Sequence, residues 1–139
     1  MSEFDYSGPI PRMTEVSRPF WEGAKERKLM LQRSRKTGQY VFYPRPVSPF
    51  GADDTLEWTE ASGRGHIFAF TVAREPTAAH FAGKAPYVIA VVELEEGPRM
   101  TANILDCDPE AVHAGMPVET TYVDISPDRT LVQFRPAGS

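Results

Sequence analysis

Tyr87 to Leu105 reads YVIAVVELEEGPRMTANIL, two runs of strand-forming residues divided by the turn Glu96-Gly97-Pro98. Valine, isoleucine and tyrosine suit the pleated, half-buried surface of a strand, whereas glycine beside proline interrupts pairing. The stretch predicts strands at Tyr87–Leu94 and Arg99–Leu105 joined by a short connection. The same texture sets in after the turn GADDT at Gly51–Thr55. It predicts further strands at Leu56–Ala61, His66–Arg74, Val118–Ile125 and Thr130–Arg135, separated by Ser62-Gly63-Arg64-Gly65 and Ser126-Pro127-Asp128. The longer interval Glu75–Pro86 reads as a loop, and Pro109–Gly115 as a short helix.

Five or six strands in roughly 80 residues, mostly joined by short turns, fit a small closed barrel of the OB type better than a sandwich. Closure also removes exposed strand edges. Upstream, Ser17 to Leu31 predicts a short amphipathic helix, with Ser17 as N-cap, Pro19 in the first turn, and Phe20, Trp21, Ala24 and Leu29 on one apolar face. Each buried aromatic contributes on the order of 2 kcal/mol by area, so this face must meet a core or a partner. Gln39–Arg45, QYVFYPR, reads as a strand leading into a rigid arm that Pro44 and Pro46 keep out of a ladder. The first dozen residues, with Gly8, Pro9 and Pro11, read as a flexible lead.

A chain of 139 residues, 41% hydrophobic and 11% aromatic, carries enough apolar side chains for one modest core. No apolar stretch approaches the roughly 20 residues that span a bilayer, and the start MSEFDYSGPIPR lacks the order of a secretion signal. Cys107 is the sole cysteine, which excludes an intrachain disulfide and makes the cytoplasm the expected location. The net charge of −4 argues against a general nucleic-acid binder. Its distribution is uneven: Met1–Leu56 holds nine Lys/Arg against seven Asp/Glu, and Glu57–Ser139 holds six against twelve. The basic excess lies between Lys25 and Arg45, where Lys25, Arg27, Lys28, Arg33, Arg35, Lys36 and Arg45 face only Glu26. Such a patch suits a phosphorylated small molecule or an acidic partner. The strongly acidic barrel half repels a nucleic-acid backbone, so a single-strand-binding barrel is disfavoured.

Catalytic signatures are sparse. Cys107 sits between Asp106 and Asp108, whose charges oppose a thiolate, so it reads as passive. His66, His80 and His113 are scattered without ligand spacing. Ser62 lacks a nucleophile elbow. The turn Ser62-Gly63-Arg64-Gly65 offers backbone N–H groups and the Arg64 guanidinium to an anion, although its spacing matches no phosphate-binding fingerprint and a plain turn is the simpler reading. Tyr40, Phe42 and Tyr43 beside Arg45 are suited either to line a groove for an adenine ring or a pantetheine chain, or to pack the arm on the barrel.

Leu31–Gly51, LQRSRKTGQYVFYPRPVSPFG, has the layout of a small zinc-binding knuckle pair. Cys-x-x-Cys, an aromatic and proline-rich arm, and Cys-Pro-x-Cys would surround one tetrahedral zinc. The four places hold Ser34, Thr37, Ser48 and Gly51 instead. Hydroxyls stay protonated near neutral pH and glycine offers no donor, so no zinc is expected.

Several motifs follow one another in a specific order: Arg18-Pro19-Phe20-Trp21-Glu22-Gly23, Leu29 to Arg33, Tyr43-Pro44-Arg45, Trp58 with Ser62-Gly63-Arg64-Gly65, Pro86-Tyr87, and Glu93-Leu94 through Gly97-Pro98-Arg99. In that order they resemble the DUF35 family over nearly the whole chain. The resemblance implies an N-terminal arm and helix at 1–33, a degenerate, metal-free ribbon of the rubredoxin-like type at 34–55, and an OB-fold at 56–139. It further implies a non-catalytic accessory subunit of an acyl-CoA enzyme in a hetero-oligomer, away from membranes. The expected partner is a thiolase-like acyltransferase, thiolase or retro-aldolase, or a hydratase-like subunit. Phe20, Trp21, Tyr43, Pro44 and Pro46 would dock on that partner. Arg33, Arg35, Lys36, Tyr43, Arg45 and Arg64 would face a coenzyme A thioester. Two other readings stand beside this one: a free-standing acyl-CoA-binding module, and a small independent enzyme using Cys107 or His66.

Overall fold

The computed structural model describes residues 12–73 and 87–137. The lead at the N-terminus, the loop expected at Glu75–Pro86 and His80 lie outside the described residues.

The chain enters through helix α1, Arg18–Lys25. Ser17 precedes it and its carbonyl accepts the N–H of Phe20 at 3.0 Å, while Ser17 and Thr14 exchange hydroxyl and backbone hydrogen bonds. The helix is shorter than the Ser17–Leu31 expectation. Its end is a two-bond cap: the N–H of Lys28 reaches the carbonyl of Gly23 at 2.9 Å, and that of Arg27 reaches Ala24 at 3.0 Å. Arg27 adopts the left-handed conformation this cap requires, with φ of 63°. Residues 29–31 are therefore free to leave the helix.

They enter a strand that the sequence reading missed. Strand β1, Met30–Ser34, pairs antiparallel with β2, Tyr40–Val41, and with β3, Leu56–Glu60, giving a three-stranded sheet ordered β2-β1-β3. α1 crosses β1 closely: a Cβ on Gly23 would run into the Met30 side chain, which would have to shift to admit a larger residue. β2 stops well short of the expected Gln39–Arg45. Beyond Val41 the arm is held by a side chain instead of a ladder. Gln32, only 5% exposed, donates to the carbonyl of Arg45 at 2.8 Å and accepts its N–H at 2.7 Å.

The remaining strands are β4 (Arg64–Ala73), β5 (Tyr87–Leu94), β6 (Arg99–Ile104), β7 (Pro117–Ser126) and β8 (Arg129–Pro136). They close into a barrel ordered β4-β5-β6-β8-β7, the five-stranded OB arrangement. β6 and β8 run parallel where Ile104 meets Phe134, and β4 meets β7 at Gly65↔Val118. The expected Leu56–Ala61 strand exists as β3 but pairs with β1. Pro109–Ala111 forms a single 3-10 turn, with Asp108 accepting the N–H of Glu110.

Burial alternates strictly along β5. Val88, Ala90, Val92, Leu94, Met100, Ala102, Ile104, Val118, Val132 and Phe134 fill the barrel, and Phe20, Ala24, Leu29 and Leu31 belong to the same apolar cluster. Helix, sheet and barrel thus share one core. Outside it, Arg27 pairs with both carboxylate oxygens of Asp124 at 3.0 and 2.9 Å, and Lys25 Nζ donates to the carbonyl of Pro127. These contacts tie the end of α1 to the β7–β8 hairpin.

Candidate docking groove and coenzyme surface

Phe20 is buried beneath α1 and meets two rings edge-on: Trp21 at 5.0 Å between centroids and Phe42 at 5.6 Å. Phe42 in turn contacts Tyr43 at 4.4 Å. This aromatic row forms one wall of an open, mainly apolar groove of about 480 Å³. Arg12 and Pro44 lie at its margin, and the other wall is the barrel surface of β5, β6 and β8, including Ile89, Thr101, Asn103, Leu131 and Gln133. Tyr43 remains 61% exposed.

Of the residues expected to dock on a partner, Phe20, Trp21, Tyr43 and Pro44 are brought together here. Pro46 is not; it lines a separate hollow with Val47, Ser48 and Pro49. The aromatic trio divides as well. Phe42 and Tyr43 line the groove, whereas Tyr40 lies 5.5 Å under the Arg33 guanidinium and lines a cleft with Phe50 and Pro98. Sequence reasoning missed the barrel wall. Its signal was present in YVIAVV, where alternate positions of β5 that point out of the barrel are also apolar, as befits a strand covered on both faces.

The basic residues are more neutralised than their run in sequence suggests. Lys36 pairs with Asp53 at 2.8 Å, Arg35 with Glu57 at 3.8 Å and Arg64 with Glu95 at 3.3 Å. Folding brings these acids in from beyond residue 50, where a linear reading does not place them. Exposed pairs of this kind are worth less than about 1 kcal/mol, so an incoming phosphate can compete for the cations. Arg33 donates to the carbonyl of Gly38 at 3.1 Å, and Arg45 holds its place through its backbone bonds to Gln32. Among the described residues neither Arg33 nor Arg45 forms an ion pair with a carboxylate.

In the turn before β4, the N–H of Ser62 donates to Glu96 at 2.8 Å and that of Arg64 to Ser62 Oγ at 3.1 Å. Two N–H groups that could have faced an anion are therefore already engaged, and the Arg64 side chain pairs with Glu95. Gly63 is required there, because its φ is 77° and a Cβ would meet Thr120 Oγ1 at 2.8 Å.

The four knuckle positions behave unequally. Ser34 and Ser48 both donate to Oδ2 of Asp54, at 2.6 and 2.5 Å. These hydroxyls hold the Asp54 carboxyl well below its usual range, at about 2. Thr37 Oγ1 accepts the N–H of Gln39 at 3.1 Å, and Gly51 has a φ of 142°.

Cys107 is half-buried and its thiol lies 3.4 Å from the carbonyl of Asp108. Burial, and then the Asp108 charge, push the thiol pKa up, the wrong direction for a nucleophile. His66 lies on β4, 3.6 Å from Glu93, and His113 is exposed beside the carbonyl of Ala111. Among the described residues no three or more His, Cys, Asp or Glu side chains are grouped to hold a metal. Nor is any described helix long and apolar enough to cross a membrane.

This arrangement of helix, small sheet and barrel has known counterparts. A chain of the solved Ltp2-ChsH2(DUF35) aldolase superposes with a TM-score of 0.80 at 33% identity, covering 92% of this chain and 99% of that one. A DUF35 domain-containing scaffold protein of Methanocaldococcus jannaschii is 37% identical over 110 residues, covering 78% of this chain and 77% of the relative. The chain belongs to the DUF35 family. Within it, residues 58–123 match the family described as the ChsH2 C-terminal OB-fold domain. A probable enoyl-CoA hydratase alpha subunit of Thermomonospora curvata is 34% identical over 129 residues. That match covers 93% of this chain and 40% of the relative, so the DUF35 chain spans about two fifths of that subunit's length.

Proposed function

We propose that this DUF35 chain is a non-catalytic accessory subunit of an acyl-CoA enzyme, docking through the aromatic groove and lending basic residues to the coenzyme A thioester channel. The partner proposed is a thiolase-like acyltransferase, thiolase or retro-aldolase, with a hydratase-like subunit as the second choice, in a cytoplasmic hetero-oligomer. The observation that carries the reading is the groove itself: Trp21, Phe42 and Tyr43 present apolar surface beside barrel strands. Large aromatics at the centre of a contact are the usual anchors of an interface. The relatives, an aldolase with a DUF35 component, a scaffold protein and a hydratase subunit, support an accessory role in assemblies of this kind.

Arg33, Arg35, Lys36, Arg45 and Arg64 are the proposed phosphate contacts, with Tyr43 against the pantetheine arm. Guanidinium groups suit this task because their fork matches phosphate oxygens. The test is co-expression with a thiolase-like or hydratase-like subunit and purification of the complex. Tyr43→Ala and Trp21→Ala should remove this chain from the complex, and Arg33→Ala with Arg45→Ala should weaken coenzyme A binding while leaving assembly intact. Retention of both aromatic variants in an unchanged complex overturns the docking reading. Tight binding of coenzyme A by the chain alone would favour a free-standing acyl-CoA-binding module. Activity of the isolated chain that disappears with Cys107→Ala or His66→Ala would favour an independent enzyme.

A further inference from the structure

The ribbon-like segment has the frame of a metal site without its ligands, and the side chains in that frame are arranged around something else. Ser34 ends β1 and Ser48 lies in the arm, yet their hydroxyls converge on one atom, Oδ2 of Asp54, at 2.6 and 2.5 Å. The second carboxylate oxygen accepts the N–H of Lys36 at 2.9 Å. Each serine oxygen also accepts a backbone bond, Ser34 from Thr37 at 2.9 Å and Ser48 from Phe50 at 3.0 Å. We propose that the Asp54 carboxylate takes the place of a metal as the cross-link between the two knuckles, so that this ribbon closes without zinc.

The chemistry runs opposite to that of a zinc site. A metal needs lone pairs from deprotonated donors. Here the hydroxyls give their protons to an anion, and their own lone pairs face backbone N–H groups. Hydrogen bonds to a carboxylate are roughly twice as strong as neutral ones, which suits them to hold two loops together. Ser34 is 1% exposed, whereas Ser48 and Asp54 are half-buried, so the cluster has one side in the interior and one toward solvent. The Lys36 ammonium pairs with the neighbouring Asp53 at 2.8 Å, so Asp54 is held by hydroxyl and backbone donors and not by an ion pair. At Gly51 a Cβ would stand 2.8 Å from Asp53 Oδ1, on a backbone that side chains rarely adopt.

The Asp54 cross-link depends on no partner. Its test uses the full chain produced in zinc-supplemented medium, with metal content measured by mass spectrometry, melting with and without a chelator, and amide exchange across residues 34–55. Background zinc, a melting temperature indifferent to chelator, and faster exchange in 34–55 for Asp54→Ala with β5 and β8 unchanged are the expected results. Ser48→Ala should quicken exchange in the same segment to a smaller degree, and it supplies the reading if Asp54→Ala does not fold. Stoichiometric zinc, a chelator-induced fall in melting temperature, or exchange in 34–55 that neither variant alters would overturn the proposal.

Discussion

The barrel and the ribbon-like segment lie side by side in one chain but cohere by different forces. The barrel is held by alternation: every second residue of β5 faces a dry interior where Phe134 is 0% exposed. The ribbon has few inward side chains after Val41, and its long arm has almost no ladder. There, polar side chains do the joining, Gln32 to the backbone of Arg45 and Asp54 to Ser34 and Ser48. Apolar burial is non-directional and tolerates repacking, whereas hydrogen-bonded ties fail when one partner is removed and the other is left buried.

Substitutions should separate the two regions. Phe134→Ala deletes the largest fully buried side chain of the barrel and should destabilise the fold by about 3–5 kcal/mol, measured by chemical denaturation. Gln32→Ala strands the N–H and carbonyl of Arg45 and should cost about 1–3 kcal/mol, with amide exchange rising in the arm ahead of the barrel. If Gln32→Ala instead loosens β8 as much as the arm, the two regions are not held separately.

The junction between helix and hairpin gives a smaller, pH-dependent effect. Bonds from Arg27, and then from Thr130, hold the Asp124 carboxyl at about 2, below its unfolded value. A carboxyl with a depressed pKa contributes stability that is fully present above about pH 4 and lost as pH falls through about 2. Arg27→Ala should therefore lower the melting temperature slightly at neutral pH and flatten its decline between about pH 4 and 2. The pair faces solvent, so its contribution is below about 1 kcal/mol. Smallest of all is Tyr43→Ala, which should leave the melting temperature nearly unchanged because its ring is already mostly in solvent. A large fall would mean that Tyr43 serves the fold in place of a partner.

Much of the architecture was legible in the residues themselves. Val, Ile and Tyr runs with Gly-Pro punctuation placed β5 with the same bounds and β4, β6, β7 and β8 nearly so, because a strand with one face in a core must alternate or run apolar. Of the grouping Phe20, Trp21, Tyr43, Pro44 and Pro46, the fold brings the first four to one groove, with Phe20 itself buried, and leaves Pro46 in a separate hollow. β1 was hidden within helix-like spacing, since the left-handed turn at Arg27 is made by a residue that does not advertise it. The barrel wall of the groove was likewise hidden, since it needs β5, β6 and β8 placed side by side.

What local sequence determined here is which segments pair and turn, because those properties depend on neighbouring residues and on the chemistry of each side chain. What tertiary structure alone decided is which distant groups meet. Asp53 and Glu57 fold onto Lys36 and Arg35, thinning a basic patch that looked continuous. Asp54, an ordinary turn residue in the sequence, becomes the point on which two serines converge. Hydrogen bonds and ion pairs act over a few ångströms of space, and only the folded chain sets those distances.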